Sequence, residues 1–251
     1  MRLAECQRAT FPHNFVVVFV ESVALVYAHF RLRNAQKRKE KMDYTAWDTW
    51  LLPHVLPVVR TICRHTPKKG TLLDIGANIG LVTQLVLCQR PDISATLFEP
   101  VQDYYLEARK RLRRSARLYA FGLSNTTQKM QIYRHPENLG WNTLVAEKTT
   151  KNMVKEEIQV REYDSTPGLP TQASFIKIDV EGWEWAVILG MRKTLKAMQP
   201  KPVILMEVAW GIKHPFYKQE CAMFAFLKKL GYTQTRACEQ EKTVNMLFLP
   251  K

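Results

Sequence analysis

The stretch Thr71–Gly80, TLLDIGANIG, constrains the fold more than any other part of the chain. Thr71–Asp74 is a short apolar run ending in an acid. A glycine-rich turn follows, with Gly76, Asn78 and Gly80 at alternate positions. Leu81–Arg90 then carries Leu81, Leu85 and Cys88 near helical spacing. Strand, glycine turn and helix open a nucleotide-binding α/β fold. Glycine lets a backbone approach a ligand closely, and a helix N-terminus presents N–H groups with no partner inside the helix.

The segments after this unit keep alternating. Strands are expected at Ser94–Phe98, Ala116–Phe121, Phe175–Val180 and Val203–Val208. Helices are expected at Asp103–Arg114, Trp183–Met198 and Pro215–Leu230. Tyr232–Arg236 and Val244–Leu249 suit a closing antiparallel pair. Residues 126–172 break the alternation, with Lys129–Tyr133 and Ile158–Tyr163 reading as extra strands around a polar loop that holds Gly140, Trp141 and Asn142. The pattern predicts an α/β fold with a doubly wound, mostly parallel sheet, a C-terminal antiparallel pair and a β insertion between the third and fourth core strands.

Ahead of this domain, residues 43–65 carry apolar positions at helical spacing, including Trp47, Trp50, Val58, Val59 and Ile62. Pro53 and Pro57 predict two short helices rather than one. The expected organisation is an N-terminal segment over 1–42, a helical lead-in over 43–69 and the α/β domain over 70–251. Residues 11–30 contain the apolar run Phe15–Tyr27, interrupted by Glu21. That is shorter than the roughly 20 apolar residues a spanning helix needs. Six Lys/Arg follow within Arg31–Lys41. A membrane surface is therefore a possible partner of residues 11–41, with the main domain in the cytosol. Without that attachment the chain is expected in the cytoplasm.

Formal net charge is +14, and residues 1–70 hold 12 Lys/Arg against 5 Asp/Glu. A basic balance suits anionic partners, RNA and lipid headgroups among them. The five cysteines are widely spaced and include no C-x-x-C pair, which speaks against a disulfide framework or zinc site.

Ligands of such sheets bind at the carboxyl ends of the strands. Asp74, Gly76, Asn78 and Gly80 fall there. So does Glu99, about 20 residues on, where an acid can accept both hydrogen bonds of a ribose diol. The turn is neither G-x-G-x-x-G nor a P-loop, so pyrophosphate ligands are disfavoured. A carboxylate and an amide at the turn suit a nucleoside bearing an amino acid and a sulfonium. The competing structural reading of Asp74 is an acid that orients the turn's own backbone. In the fourth strand Lys177, Asp179 and Glu181 alternate and should share one face. Asp179 and Glu181 could orient a hydroxyl, act as a base or hold a divalent cation. A Lys177–Asp179 ion pair, with Glu181 favoured by a helix dipole, is the competing structural reading. His135 and His214 are alternative bases.

In order, DIGANIG, FEP, YAFGLSN, NLGWNTL, FIKIDVEGWEWAVILGM and PVILMEV resemble the FkbM family of S-adenosylmethionine-dependent methyltransferases over roughly residues 70–250. DIGAN with KIDVEG is the specific combination; the first alone implies only a class I methyltransferase. The resemblance implies a Rossmann-like class I methyltransferase fold and O-methylation of a hydroxyl on a sugar or other small molecule. By position, Asp74, Gly76, Asn78 and Gly80 would form the S-adenosylmethionine loop and Glu99 would take the ribose hydroxyls. Ser124 and Asn125 would lie near adenine, and Asp179 and Glu181 would face the reacting centre. The 126–172 insertion would shape the acceptor site. A nucleic-acid methyltransferase using Arg109–Arg114 and the Arg31–Lys41 run, and a non-catalytic interaction module, are the competing readings.

Overall fold

The computed structural model describes residues 44–135, 142–145, 153–208, 217–239 and 244–251, with side chains described at these positions except 44–50, 236–239 and 244. The apolar stretch 11–30, the basic run 31–41, Trp141, His214 and the side chains of Trp47 and Trp50 lie outside this description. Among the described residues no helix is long and apolar enough to cross a membrane. The chain divides into two compact units, Met1–Leu56 and Pro57–Lys251.

The first described element is α1, Tyr44–His65. It is one helix, not the two that its prolines predict. Pro53 and Pro57 are four residues apart and so lie on one side of the helix. Pro53, whose carbonyl Pro57 leaves without an amide partner, is an exposed residue.

Elements then alternate as β1 (Thr71–Ile75), α2 (Leu81–Gln89), β2 (Ser94–Phe98), α3 (Gln102–Leu112) and β3 (Arg117–Tyr119). An insertion follows, made of β4 (Gly122–Ser124), β5 (Gln128–Arg134), β6 (Asn142–Thr143) and β7 (Val154–Glu162). The chain returns through β8 (Phe175–Ile178), α4 (Glu184–Gly190), α5 (Arg192–Ala197), β9 (Val203–Val208), α6 (Tyr217–Lys229), β10 (Tyr232–Glu239) and β11 (Val244–Pro250).

Seven strands form the main sheet in the order β10-β11-β9-β8-β1-β2-β3. β1 pairs in parallel with β2 and β8, and β11 runs antiparallel to both its neighbours. The insertion strands form a second sheet, β4-β7-β5-β6. This is the Rossmann-like class I methyltransferase arrangement, doubly wound with a closing antiparallel pair. β1 and β8 are buried on both faces, so their alternation sorts residues between two apolar layers rather than between core and water. Leu72 and Phe175 join Val59, Ile62 and Val86 on one face. Leu73, Ile75, Ile176 and Ile178 join Val187, Ile188, Met223 and Leu227 on the other.

Three element boundaries differ from expectation. The third strand is two: β3 pairs with β2, and β4 leaves to pair with β7. Trp183–Met198 is two short helices. α4 ends where Gly190 meets β4 so closely that a Cβ would sit 1.9 Å from the Ser124 carbonyl oxygen. α5 restarts under a new cap, the Asp164 carboxylate, which accepts the Lys193 and Thr194 amides at 2.7 and 2.9 Å. Finally, β8 stops at Ile178 rather than Val180. Glu181 and Gly182 take positive φ of 53° and 104°, which no strand continues through.

Candidate active site

The glycine turn is pinned by backbone. Gly76 and Ala77 both donate to the Phe98 carbonyl, at 3.1 and 3.2 Å, and the Asp179 amide donates to Ile75 at 3.0 Å. These bonds draw the carboxyl ends of β1, β2 and β8 into one rim. Gly76 has φ 77°, and a Cβ there would lie 1.9 Å from the Asp179 carbonyl oxygen, so only glycine fits. Asn78 also takes a left-handed φ, 51°. Its side-chain oxygen accepts the Ile79 amide at 2.7 Å, which is how an asparagine sustains that conformation.

Glu99 is buried at the end of β2. One carboxylate oxygen accepts the Asn78 amide at 2.8 Å, and the other accepts the Val101 amide at 2.9 Å. Burial nonetheless pushes its pKa up to about 7, against the pull of those two amides.

Asp74 is fully buried and cross-strand from Lys177. It accepts the Thr83 hydroxyl at 2.6 Å through one oxygen. The other lies 3.3 Å from Lys177 Nζ, within ion-pair range but outside hydrogen-bond geometry. Lys177 Nζ also reaches an Asp179 oxygen at 3.1 Å and the Gly76 carbonyl at 3.2 Å. Burial alone would lower the Lys177 pKa; Asp179 and Asp74 outweigh it, and the net direction is up. Asp74 thus holds Thr83 and Lys177, Lys177 in turn holds the Gly76 carbonyl, and the Lys177–Asp179 ion pair is present.

Asp179 and Glu181 lie on the turn after β8 rather than on one strand face. The turn still brings their carboxylates together, and it brings a third acid the sequence reading passed over. Oxygens of Asp179, Glu181 and Glu207 lie within 4.8 Å of one another. Glu207 is the penultimate residue of β9, next to β8, and is the one acid in the strand VILMEV. That lone charge at a strand's carboxyl end was the available signal. Three carboxylate oxygens are donors of the kind a hard divalent cation takes, and equally a place to receive a proton. Among the described residues His135, just after β5, joins no such cluster. Glu181 does not open a helix, since α4 begins at Glu184. Glu184 instead holds the turn, accepting the Val180 and Gly182 amides at 3.3 and 3.1 Å. Burial pushes its pKa up to about 7 as well.

Ser124 is fully buried at the end of β4. Its hydroxyl donates to Asn125 at 3.2 Å and accepts Trp183 Nε1 at 3.1 Å. Asn125 reaches a cavity of about 200 Å³, walled by Trp183, Trp185, Leu189, Val208 and Met223. Its ionisable lining groups among the described residues are Glu184 and Glu220.

These residues fit a nucleoside that carries an amino acid. Gly80 precedes α2 as its cap and brings no side-chain cap, so the first-turn amides of α2 suit a ligand carboxylate. Each Glu99 oxygen holds one amide and keeps a second lone pair for a ribose hydroxyl.

The methyltransferase FkbM domain model matches residues 74–233, more than half of the chain. A search of curated proteins finds no match. Among solved structures, the chain is similar to a precorrin-6y C5,15-methyltransferase from Geobacter metallireducens GS-15 (16% identity, 77% of this chain and 86% of that one, TM-score 0.45). It is also similar to a putative rRNA-methylase from Clostridium thermocellum (9% identity, 76% and 92%, TM-score 0.49). A third is an O-methyltransferase from neocarzinostatin biosynthesis, in complex with S-adenosyl-L-homocysteine and 1,4-dihydroxy-2-naphthoic acid (12% identity, 78% and 55%, TM-score 0.42). The chain belongs to the FkbM methyltransferase domain family, and is a methyltransferase that depends on S-adenosylmethionine.

Proposed function

We propose that the chain transfers a methyl group to a hydroxyl of a neutral, sugar-like or other small-molecule acceptor. The observation that carries this reading is the convergence of Asp179, Glu181 and Glu207 beside the glycine turn. S-adenosylmethionine, when bound, supplies a methyl group activated by a sulfonium. The chain's own residues do the rest. Glu99 accepts the ribose diol, the α2 amides and Asn78 hold the amino-acid end, and Ser124 and Asn125 border the base. Asp179 receives the proton as the acceptor hydroxyl attacks. Its ion pair to Lys177 fixes one oxygen and fixes the orientation of the other, so much of the rate comes from positioning.

The sign of the charges favours a neutral acceptor over nucleic acid. The turn and the adjoining cavity present Asp179, Glu181, Glu207 and Glu220, which repel phosphates. Part of the basic end of α3 is committed internally: Arg111 is buried and ion-paired to Glu107 at 3.1 Å. Residues 11–41 would hold the protein at an anionic membrane surface with its domain in the cytosol, which cosedimentation with phosphatidylserine vesicles tests.

The functional test is transfer of tritiated methyl from S-adenosylmethionine into small-molecule extract, followed by identification of the product. A methyl ether supports the reading; a methylated nitrogen, carbon or nucleic acid overturns it. A parallel arm with chelator separates direct proton transfer to Asp179 from action through a divalent cation.

A further inference from the structure

The motif GWNT in the insertion has no part in the chemistry above, yet the structure ties its last two residues to both sides of the crevice. Asn142 Nδ2 lies 3.3 Å from the Tyr104 hydroxyl on α3. Thr143 is buried, and its hydroxyl donates to the Glu181 carbonyl at 2.8 Å while accepting the Val145 amide at 3.1 Å.

The Glu181 contact falls on an unusual piece of backbone. A non-glycine residue at φ 53° persists only where its surroundings hold it there. Three bonds from the core hold the turn by its amides: Asp179 to Ile75, and Val180 and Gly182 to Glu184. The bond from Thr143 holds it by a carbonyl, and it comes from a different sheet.

We propose that Thr143 is a positioning residue: through the Glu181 carbonyl it locks the left-handed turn that aims the Asp179 and Glu181 carboxylates. This rests on the role given to those carboxylates above. The insertion sheet is then part of the catalytic framework as well as a wall beside it. Methyl transfer loses most of its rate when a reacting group is displaced by about 1 Å, so a loosened turn lowers turnover without touching the cofactor's own contacts.

The test uses Thr143→Val, which keeps the shape and removes the hydroxyl, Thr143→Ser, which restores it, and Thr143→Ala as a second hydroxyl-free variant. Turnover is read with tritiated S-adenosylmethionine and a fixed excess of small-molecule extract. The expected result is about tenfold lower kcat in the valine and alanine variants, an unchanged KM for S-adenosylmethionine, and recovery in the serine variant. Amide exchange across residues 178–186 should quicken in step. Wild-type kcat in Thr143→Val overturns the proposal, provided Asp179→Asn is inactive. If Asp179→Asn is as active as wild type, the functional reading fails instead. Exchange then decides the contact alone, and unchanged exchange in both hydroxyl-free variants overturns it.

Discussion

The Lys177 ammonium lies 3.1 Å from the Asp179 carboxylate, and the same nitrogen lies 3.3 Å from buried Asp74. One side chain thus joins the acid near the end of β1 to the acid proposed to receive the proton. Lys177→Met should leave Asp74 charged, buried and without a cation, at a cost of about 3–5 kcal/mol. Urea unfolding measures this. Adding Asp74→Asn to that variant should recover a large part of the loss, because the uncompensated charge is then gone.

Glu99 predicts a pH dependence of cofactor binding. In the proposed site only the ionised carboxylate would accept both ribose hydroxyls, and burial pushes its pKa up to about 7. The ionised fraction therefore rises about tenfold from pH 6 to pH 8, and the apparent Kd for S-adenosylmethionine should fall by about the same factor. Glu99→Gln should bind more weakly and with a flat profile across that range. Calorimetry at the two pH values measures both.

Glu184 predicts a pH dependence of stability. Its folded pKa of about 7 stands above the ordinary 4.5, so the folded state binds the proton more tightly. Its contribution is full below about pH 4.5 and is lost as pH rises towards 7. Glu184→Gln should consequently lose less stability than wild type between pH 5 and pH 7.5 in urea titrations.

Arg90 closes the end of α1. Its guanidinium donates to the carbonyls of Cys63, Thr66 and Pro67 at 2.9, 3.1 and 3.2 Å, and it pairs with Asp92. Arg90→Ala should cost about 1–3 kcal/mol, since those carbonyls lose a charged donor. Arg90→Lys should not restore it, because an ammonium has no planar fork.

Much of this framework was legible in the sequence because it rests on local rules. Alternation of apolar runs placed β1, β2, β8 and β9. The lone acid after β2 marked the carboxylate that holds the Asn78 and Val101 amides, and the glycines marked a rim that Gly76 can form only without a Cβ. What escaped detection depends on contacts distant in sequence. α4 stops at Gly190 because β4 crosses it, and α5 restarts because Asp164 caps it. β8 ends early because Glu184 and Thr143 hold the following turn in a left-handed shape. Glu207 joins Asp179 only through the pairing of β9 with β8. Pro53 and Pro57 remove amides without ending α1, which runs on through both.

In the proposed reaction Asp179 acts on the acceptor and not on the cofactor. Measuring S-adenosylmethionine affinity and turnover side by side in Asp179→Asn tests it most directly. The expected affinity lies within about threefold of wild type, with turnover reduced by about 10²–10⁴. Turnover close to wild type, or loss of cofactor binding equal to the loss of turnover, would contradict it.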